Sequence, residues 1–519
     1  MLWRLPASTL SSLLARGEVS AVDLLGAHLQ RVDEVDGRVQ AFTSVMREQA
    51  GAEAEASDER RRRGEARGPL DGVPVTLAEC FDLAGRPTTL GLPSWRRHIA
   101  RSDAELVAAL RRAGAIVLGR TNVSQALLFV EARNPVYGQT ANPWSLAHTP
   151  GGSSGGEAAA LAAGMSPLGL GSDLGGGLRV PAHFCGACAL RPTPDRLPIG
   201  GYRTVDPGQE AVRATAGPMA RAVADLSLLL RGISGAHAAA SDPQVPPLRW
   251  EEPASPGVAG LRVGTYRDDG VVPASASLAR ALDRAAEVLR GRGCEVLAFD
   301  PPDVRGAICD ALGILSADGG AGLRAALAGG EVDPSVDLLR RIAAMPSGMR
   351  RAAAGAARAF GQANVALLLE ALGEKTVSEL WSATERLRAY RAELRGAMDR
   401  AGLDALLCPP YPTPALPHGA SRGFALAASY ALPFSAAGLP AGVVPVTRVR
   451  ASETVRPASR DRLLSRAADV DAKSAGLPVG VQVVGRAWKD HVVLALLAAI
   501  EGDVSRDEDF PATPVDPPR

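Results

Sequence analysis

The sequence predicts an α/β protein with a mixed central β-sheet covered by helices on both faces. Three observations carry this. Helical and strand patterns alternate: the amphipathic run from Asp103 to Ala113 leads into Ala115–Leu118, and Ser275–Arg292 stands between the strand-like runs Leu261–Gly264 and Glu295–Leu297. The strands read as short apolar runs, such as Gly72–Leu77 and Met165–Leu170. A chain of 519 residues that is 46% hydrophobic is long and apolar enough for one large α/β core.

In chain order, residues 1–65 form an N-terminal helical segment. Ser20 to Asp23 resembles a capping box, with Asp in place of Glu, ahead of Leu24, Leu25 and His28. His28 reads as a packing residue. Residues 66–304 form the first part of the core. It holds the strands above, a helix from Ala216 through Leu230 and a polar, Pro-rich linker over 238–257. Residues 305–402 are largely helical and read as a cap. There Leu338, Leu339, Ile342 and Met349 intermix with Arg340, Arg341, Arg350 and Arg351, and Pro346 and Gly348 split the run into two short pieces. Residues 403–501 complete the core, with strands at Leu406–Cys408, Ser435–Val446 and Gly476–Val484 and a helix over Asp490–Glu501. Residues 502–519 are charged, Pro-rich and read as a mobile tail.

Composition narrows the function. Lys plus Arg at 57 against Asp plus Glu at 56 gives no electrostatic case for nucleic acid. Six scattered cysteines make no disulfide framework. Cys185 and Cys188 form one C-x-x-C without a second pair, and histidines number only seven, so no metal and no cofactor are expected. The N-terminus lacks the order of a signal peptide, and no stretch reaches about eighteen uninterrupted apolar residues, so a cytoplasmic protein is expected.

The chain is organised around Pro150–Thr193. A Gly/Ser loop, Gly151-Gly152-Ser153-Ser154-Gly155-Gly156, opens into an Ala-rich helix whose Glu157 lies in the first turn, where the helix dipole favours a carboxylate. A second glycine turn, Gly171-Ser172-Asp173-Leu174-Gly175-Gly176-Gly177, follows the next strand. Such turns let backbone N–H groups approach a ligand, as an anion nest or an oxyanion hole. No Gly-Lys-Ser/Thr ends either turn, which excludes a P-loop.

Loop, helix, strand and second turn together resemble the amidase signature of Ser-dependent amide hydrolases. Gly72-Val73-Pro74-Val75, Glu79-Cys80-Phe81, Gly138–Trp144, Ala441–Val446 and Gly476–Gln482 make the chain most similar to the fatty-acid amide hydrolase branch, from about residue 65 to about 500. The resemblance implies an amidase-signature fold with a helical cap over an acyl channel. It also implies a Ser–Ser–Lys triad, in which a neutral Lys takes the proton of the nucleophilic Ser through a middle Ser whose peptide bond is cis. Mapped residue by residue, the middle serine is Ser153, with Ser154 beside it. The Lys position is Ala78 and the nucleophile position is Gly177. Ser172 reads as lying on the far side of the turn, and the nearest titratable residues are Glu79, Cys80 and Asp173.

The sequence therefore leads to an amidase-fold protein without the triad, binding an acyl or amide-like small molecule without hydrolysing it. Ser153, Ser154, Leu174, Gly175, Gly176 and Gly177 would form its site. An alternative is an enzyme of another reaction type, such as non-hydrolytic acyl or enolate chemistry, using the amides of Leu174–Gly177 as an oxyanion hole and Glu79, Cys80 or Ser153 to move protons. A third is an active amidase in which Lys and Ser have been replaced artificially. Glu79 reads more simply as capping a turn or pairing with an arginine. Peripheral membrane contact through the basic, amphipathic cap is expected from the branch, and a homodimer is compatible with the sequence.

Overall fold

A computed structural model describes residues 1–253 and 257–518, apart from the side chains of residues 236 and 237. The strands are β1 (Phe42–Val45), β2 (Pro74–Ala78), β3 (Ile116–Thr121), the hairpin β4 (Arg133–Asn134) and β5 (Gly138–Gln139), β6 (Leu168–Asp173), β7 (Cys188–Arg191), β8 (Thr215–Ala220), β9 (Arg262–Thr265), β10 (Glu295–Ala298), β11 (Ala405–Cys408), β12 (Ala441–Arg448) and β13 (Pro478–Gly485). Eleven of them form one sheet in the order β1-β3-β2-β6-β8-β7-β12-β13-β11-β9-β10. The sheet is mixed: β3, β2 and β6 run parallel, and β6, β8, β7, β12 and β13 pair antiparallel. Every residue of β2, β3, β6, β7, β8 and β13 is buried, so helices cover both faces.

The site sits where β2 and β6 end side by side, with Leu77 paired to Leu170. Helix Gly155–Ala162 packs behind them, its apolar Ala158, Leu161 and Ala162 in a small core with Leu178, Ala182 and Cys185. Over the opposite side lies the cap, whose helices include Val304–Leu315, Pro334–Ala343, Ser347–Ala359 and Val377–Arg400. The break between the second and third of these falls at residues 344–346, where Pro346 cannot continue a helix.

Five segments differ from the sequence reading. The N-terminal segment is not wholly helical: Phe42–Val45 is an edge strand against β3. Residues 215–220 are strand β8 and not helix, because Gly169↔Met219 and Leu170↔Pro218 place them inside the sheet; the helix starts only at Val223. Ser435 lies in a short helix, Leu432–Ala437, that ends at left-handed Gly438, and the strand begins at Ala441. Within the expected surface linker, Ala236–Ser241 is helical, and residues 254–256 of it lie outside the described residues. At the C-terminus, helix Asp490–Val504 is followed by chain held against the body, where the Val515 amide donates to Ala162 O at 2.8 Å and Arg31 pairs with Asp516 at 2.7 Å.

Candidate active site

The two glycine turns are hydrogen-bonded to each other. The Ser154 amide donates to Gly177 O at 3.1 Å, and the Ser172 amide donates to Ser154 Oγ at 3.2 Å. The Gly152–Ser153 peptide bond is cis. A Cβ at Gly177 would lie 2.8 Å from Ser153 Oγ and 2.5 Å from Ser172 O. Ser153 and Gly177 are therefore adjacent in space although 24 positions apart in sequence. Ala78, the last residue of β2, is fully buried.

Ser153, Ser172, Leu174, Gly175 and Gly177 line a cavity of about 420 Å³. Its apolar wall comes mainly from the cap and the 424–432 segment, with Leu312, Leu339, Leu368, Phe424 and Leu432, and from Phe129. A polar wall carries Thr204, Asp206, Gln209 and Arg213. This is the size and character of a small-molecule site. Ser172 is thus not on the far side of the turn: strand β6 delivers it to the same cavity end as Ser153. Tyr202, which sequence reasoning missed, also lines the cavity, with its hydroxyl beside Ser172. Nothing in the run Gly200-Gly201-Tyr202 marks it as a site residue.

Asp173 shapes the second turn. Its carboxylate accepts from the Gly176 amide at 2.8 Å and the Leu178 amide at 3.2 Å, and from Arg179 Nε and Nη2, both at 2.9 Å. Burial alone would raise its pKa; Arg179 and the more distant Arg191 instead bring it down to about 2. Of the four amides from Leu174 to Gly177, that of Gly176 is therefore already engaged. Those of Leu174, Gly175 and Gly177 find no protein acceptor among the described residues.

The titratable groups behind the site are held in place. Glu79 is buried and accepts from the amides of Thr89 (2.7 Å) and Leu90 (2.8 Å) and from the Tyr137 hydroxyl (3.2 Å), with Arg120 at 3.4 Å. Its side chain caps a turn; burial nevertheless raises its pKa. Cys80 lies 3.6 Å from Ser172 Oγ, and burial pushes its thiol up to about 12. Cys185 and Cys188 contact Pro150 O and the Glu501 carboxyl group, respectively. Among the described residues no cluster of three or more His, Cys, Asp or Glu is placed to hold a metal.

Glu157 is not the charged first-turn carboxylate that the helix dipole would favour. It is fully buried, with the Thr76 hydroxyl against one oxygen and that of Thr121 donating to the other at 2.7 Å. Burial outweighs these bonds and raises its pKa to about 8, so at neutral pH it is the protonated acid. A carboxyl group with a raised folded-state pKa lends its stability below the unfolded value of 4.5 and loses it as pH rises through the folded value. Glu157→Gln, which keeps a neutral side chain at all pH, is therefore expected to raise the melting temperature more at pH 8 than at pH 5. A pH-independent difference in a thermal melt would mean that Glu157 is already ionised in the folded protein.

An amidase family model matches residues 23–494. The chain belongs to the amidase signature family. It is 34% identical to fatty-acid amide hydrolase 1 of Sus scrofa over 96% of this chain and 86% of that protein. It is 31% identical to amidase 2 of Gibberella moniliformis, over 94% of this chain and 88% of that one. Among solved structures a fatty acid amide hydrolase superposes with a TM-score of 0.86 at 27% identity, covering 98% of this chain and 86% of that one. The peptide amidase of Stenotrophomonas maltophilia superposes with a TM-score of 0.72 at 25% identity, covering 98% of each chain.

Proposed function

We propose that this chain binds an acyl-type small molecule in the cavity beneath Gly177 and does not hydrolyse amides. The supporting observation is that, among the described residues, no base stands ready beside the two hydroxyls at the cavity end, Ser153 and Ser172. The Lys position is Ala78, Cys80 holds its proton to about 12, Tyr202 is pushed above its usual value by burial, and both oxygens of Glu79 are bonded to backbone amides. A hydroxyl without a base is a poor nucleophile. The relatives named for fatty-acid amides, together with the cap's apolar wall, favour an aliphatic chain as ligand. Incubation with dodecanamide and mass spectrometry of the products tests the reading. The amide is expected back intact, and turnover at ordinary enzyme rates would refute it.

The cap is the proposed contact with a lipid surface. Phe360 and Trp381, 80% and 71% exposed, stand on it with exposed Met349 and Val377. Among the described residues no helix is long and apolar enough to cross a membrane, so the contact would be peripheral. The six free cysteines fit a cytoplasmic location. Phe360→Ser with Trp381→Ser is expected to weaken sedimentation with anionic phospholipid vesicles by roughly tenfold or more, from the apolar area lost. Equal sedimentation of variant and parent, or none by the parent, would rule the cap out as that contact.

A further inference from the structure

We propose that the closed end of the cavity takes the carboxylate of a free aliphatic acid in preference to the corresponding amide. The inference rests on the reading that acyl ligands are held without being cleaved, and it names their head group.

Donors outnumber acceptors at this end. The amides of Leu174, Gly175 and Gly177 have no protein acceptor among the described residues, and these three residues line the cavity. The hydroxyls of Ser153, Ser172 and Tyr202 stand on the same end. A carboxylate only accepts and can take about four hydrogen bonds through its two oxygens. A primary amide also brings two N–H donors that need acceptors, and each one left unsatisfied in a buried site carries a desolvation penalty. A turn of converging backbone N–H groups is an anion nest.

Charge points the same way. Behind the glycine turn two buried guanidinium groups, Arg179 and Arg191, lie by the carboxylate of Asp173, and buried Asp490 also acts on Arg191. Arg179 bonds to Asp173 through two nitrogens, whereas Arg191 Nε lies 3.9 Å away and has no hydrogen-bond partner. Counted with Asp490 and its partner Arg196, these buried groups carry one surplus positive charge, which an anion held at the turn would offset. The cavity's own acids belong to other segments. Asp195 is paired with Arg213 at 2.8 Å, Asp242 accepts from the Ile199 and Gln244 amides, and Asp206 and Glu210 lie on the polar wall.

Isothermal titration of the full chain with dodecanoate and with dodecanamide at pH 8 separates the cases. Dodecanoate is expected to bind at least tenfold more tightly. Ser153→Ala is expected to weaken dodecanoate roughly tenfold, as for loss of one hydrogen bond to a charged group, and dodecanamide less. The melting temperature of the variant shows that it folds. Tighter binding of intact amide, or equal affinities, overturns the carboxylate inference and leaves the non-hydrolytic reading standing. Cleavage of the amide overturns that reading instead, and binding of neither ligand overturns both.

Discussion

Ala78→Lys combined with Gly177→Ser is expected to release dodecanoate from dodecanamide at least about a thousandfold faster than the unchanged chain, while either substitution alone stays at background. Each group is useless without the other. A serine at 177 places its Cβ 2.8 Å from Ser153 Oγ, so the two hydroxyls would stand in reach of one another. Without a base, though, the new hydroxyl keeps its proton. A lysine at 78 would sit at the buried end of β2, where loss of hydration favours its neutral, basic form. Without a nucleophile it has nothing to activate. Members of such a set are strongly non-additive, and losing the nucleophile alone typically costs roughly a million-fold. The recovery should fall short of that figure, because Ser172 O lies 2.5 Å from the new Cβ and the turn must shift to admit it. Liquid chromatography with mass detection of dodecanoate reads the outcome. If a folded double variant releases none, the scaffold differs from a hydrolase by more than two side chains. If Gly177→Ser alone is active, the site holds a base of its own and needs no lysine at 78.

The sequence displayed the frame of this protein and hid its electrostatics. Alternating runs such as 103–118 and 261–297 announced an α/β sheet, because periodicity and turn chemistry are local properties. Strand β8 was concealed for the same reason. Gly217 and Pro218 read locally as the start of a helix, and only the pairing of their strand with β6 and β7 makes it central. The two glycine turns were legible as a site because, with the helix and strand between them, they resemble the amidase signature. That Ser172 joins Ser153 was not, since it depends on how β6 emerges beside the cis-linked loop. Nor could Glu157 be read as a neutral acid: its helix position argues for charge, and its burial among Thr76, Thr121 and Gly169 decides otherwise. Tyr202 arrives from a segment with no motif at all.

Arg179 is the side chain whose loss should cost the fold most. It is fully buried and bonds to Asp173 through two nitrogens, to Gln482 Oε1 at 2.7 Å and to Ser435 Oγ at 2.7 Å. One guanidinium thereby joins the glycine turn, strand β13 and helix Leu432–Ala437. Arg179→Met keeps much of the volume but leaves Asp173 a buried anion, with Arg191 at 3.9 Å as its remaining cation. Breaking a buried pair by removing one partner typically costs about 3–5 kcal/mol, so that loss is expected at pH 7 in denaturant unfolding. The pH dependence follows from Asp173. In the parent its folded pKa is depressed to about 2 from 3.8, so its contribution is present above the unfolded value and is lost as pH falls through the folded one. In the variant the cation that depresses it is gone, and the carboxylate can take up a proton at higher pH and so relieve its own burial cost. The stability gap between parent and variant should therefore narrow between pH 7 and pH 4. A gap that stays constant over that range would mean that Arg179 acts through packing and its bonds to Gln482 and Ser435, and that the charge of Asp173 is balanced by Arg191 and the turn amides alone.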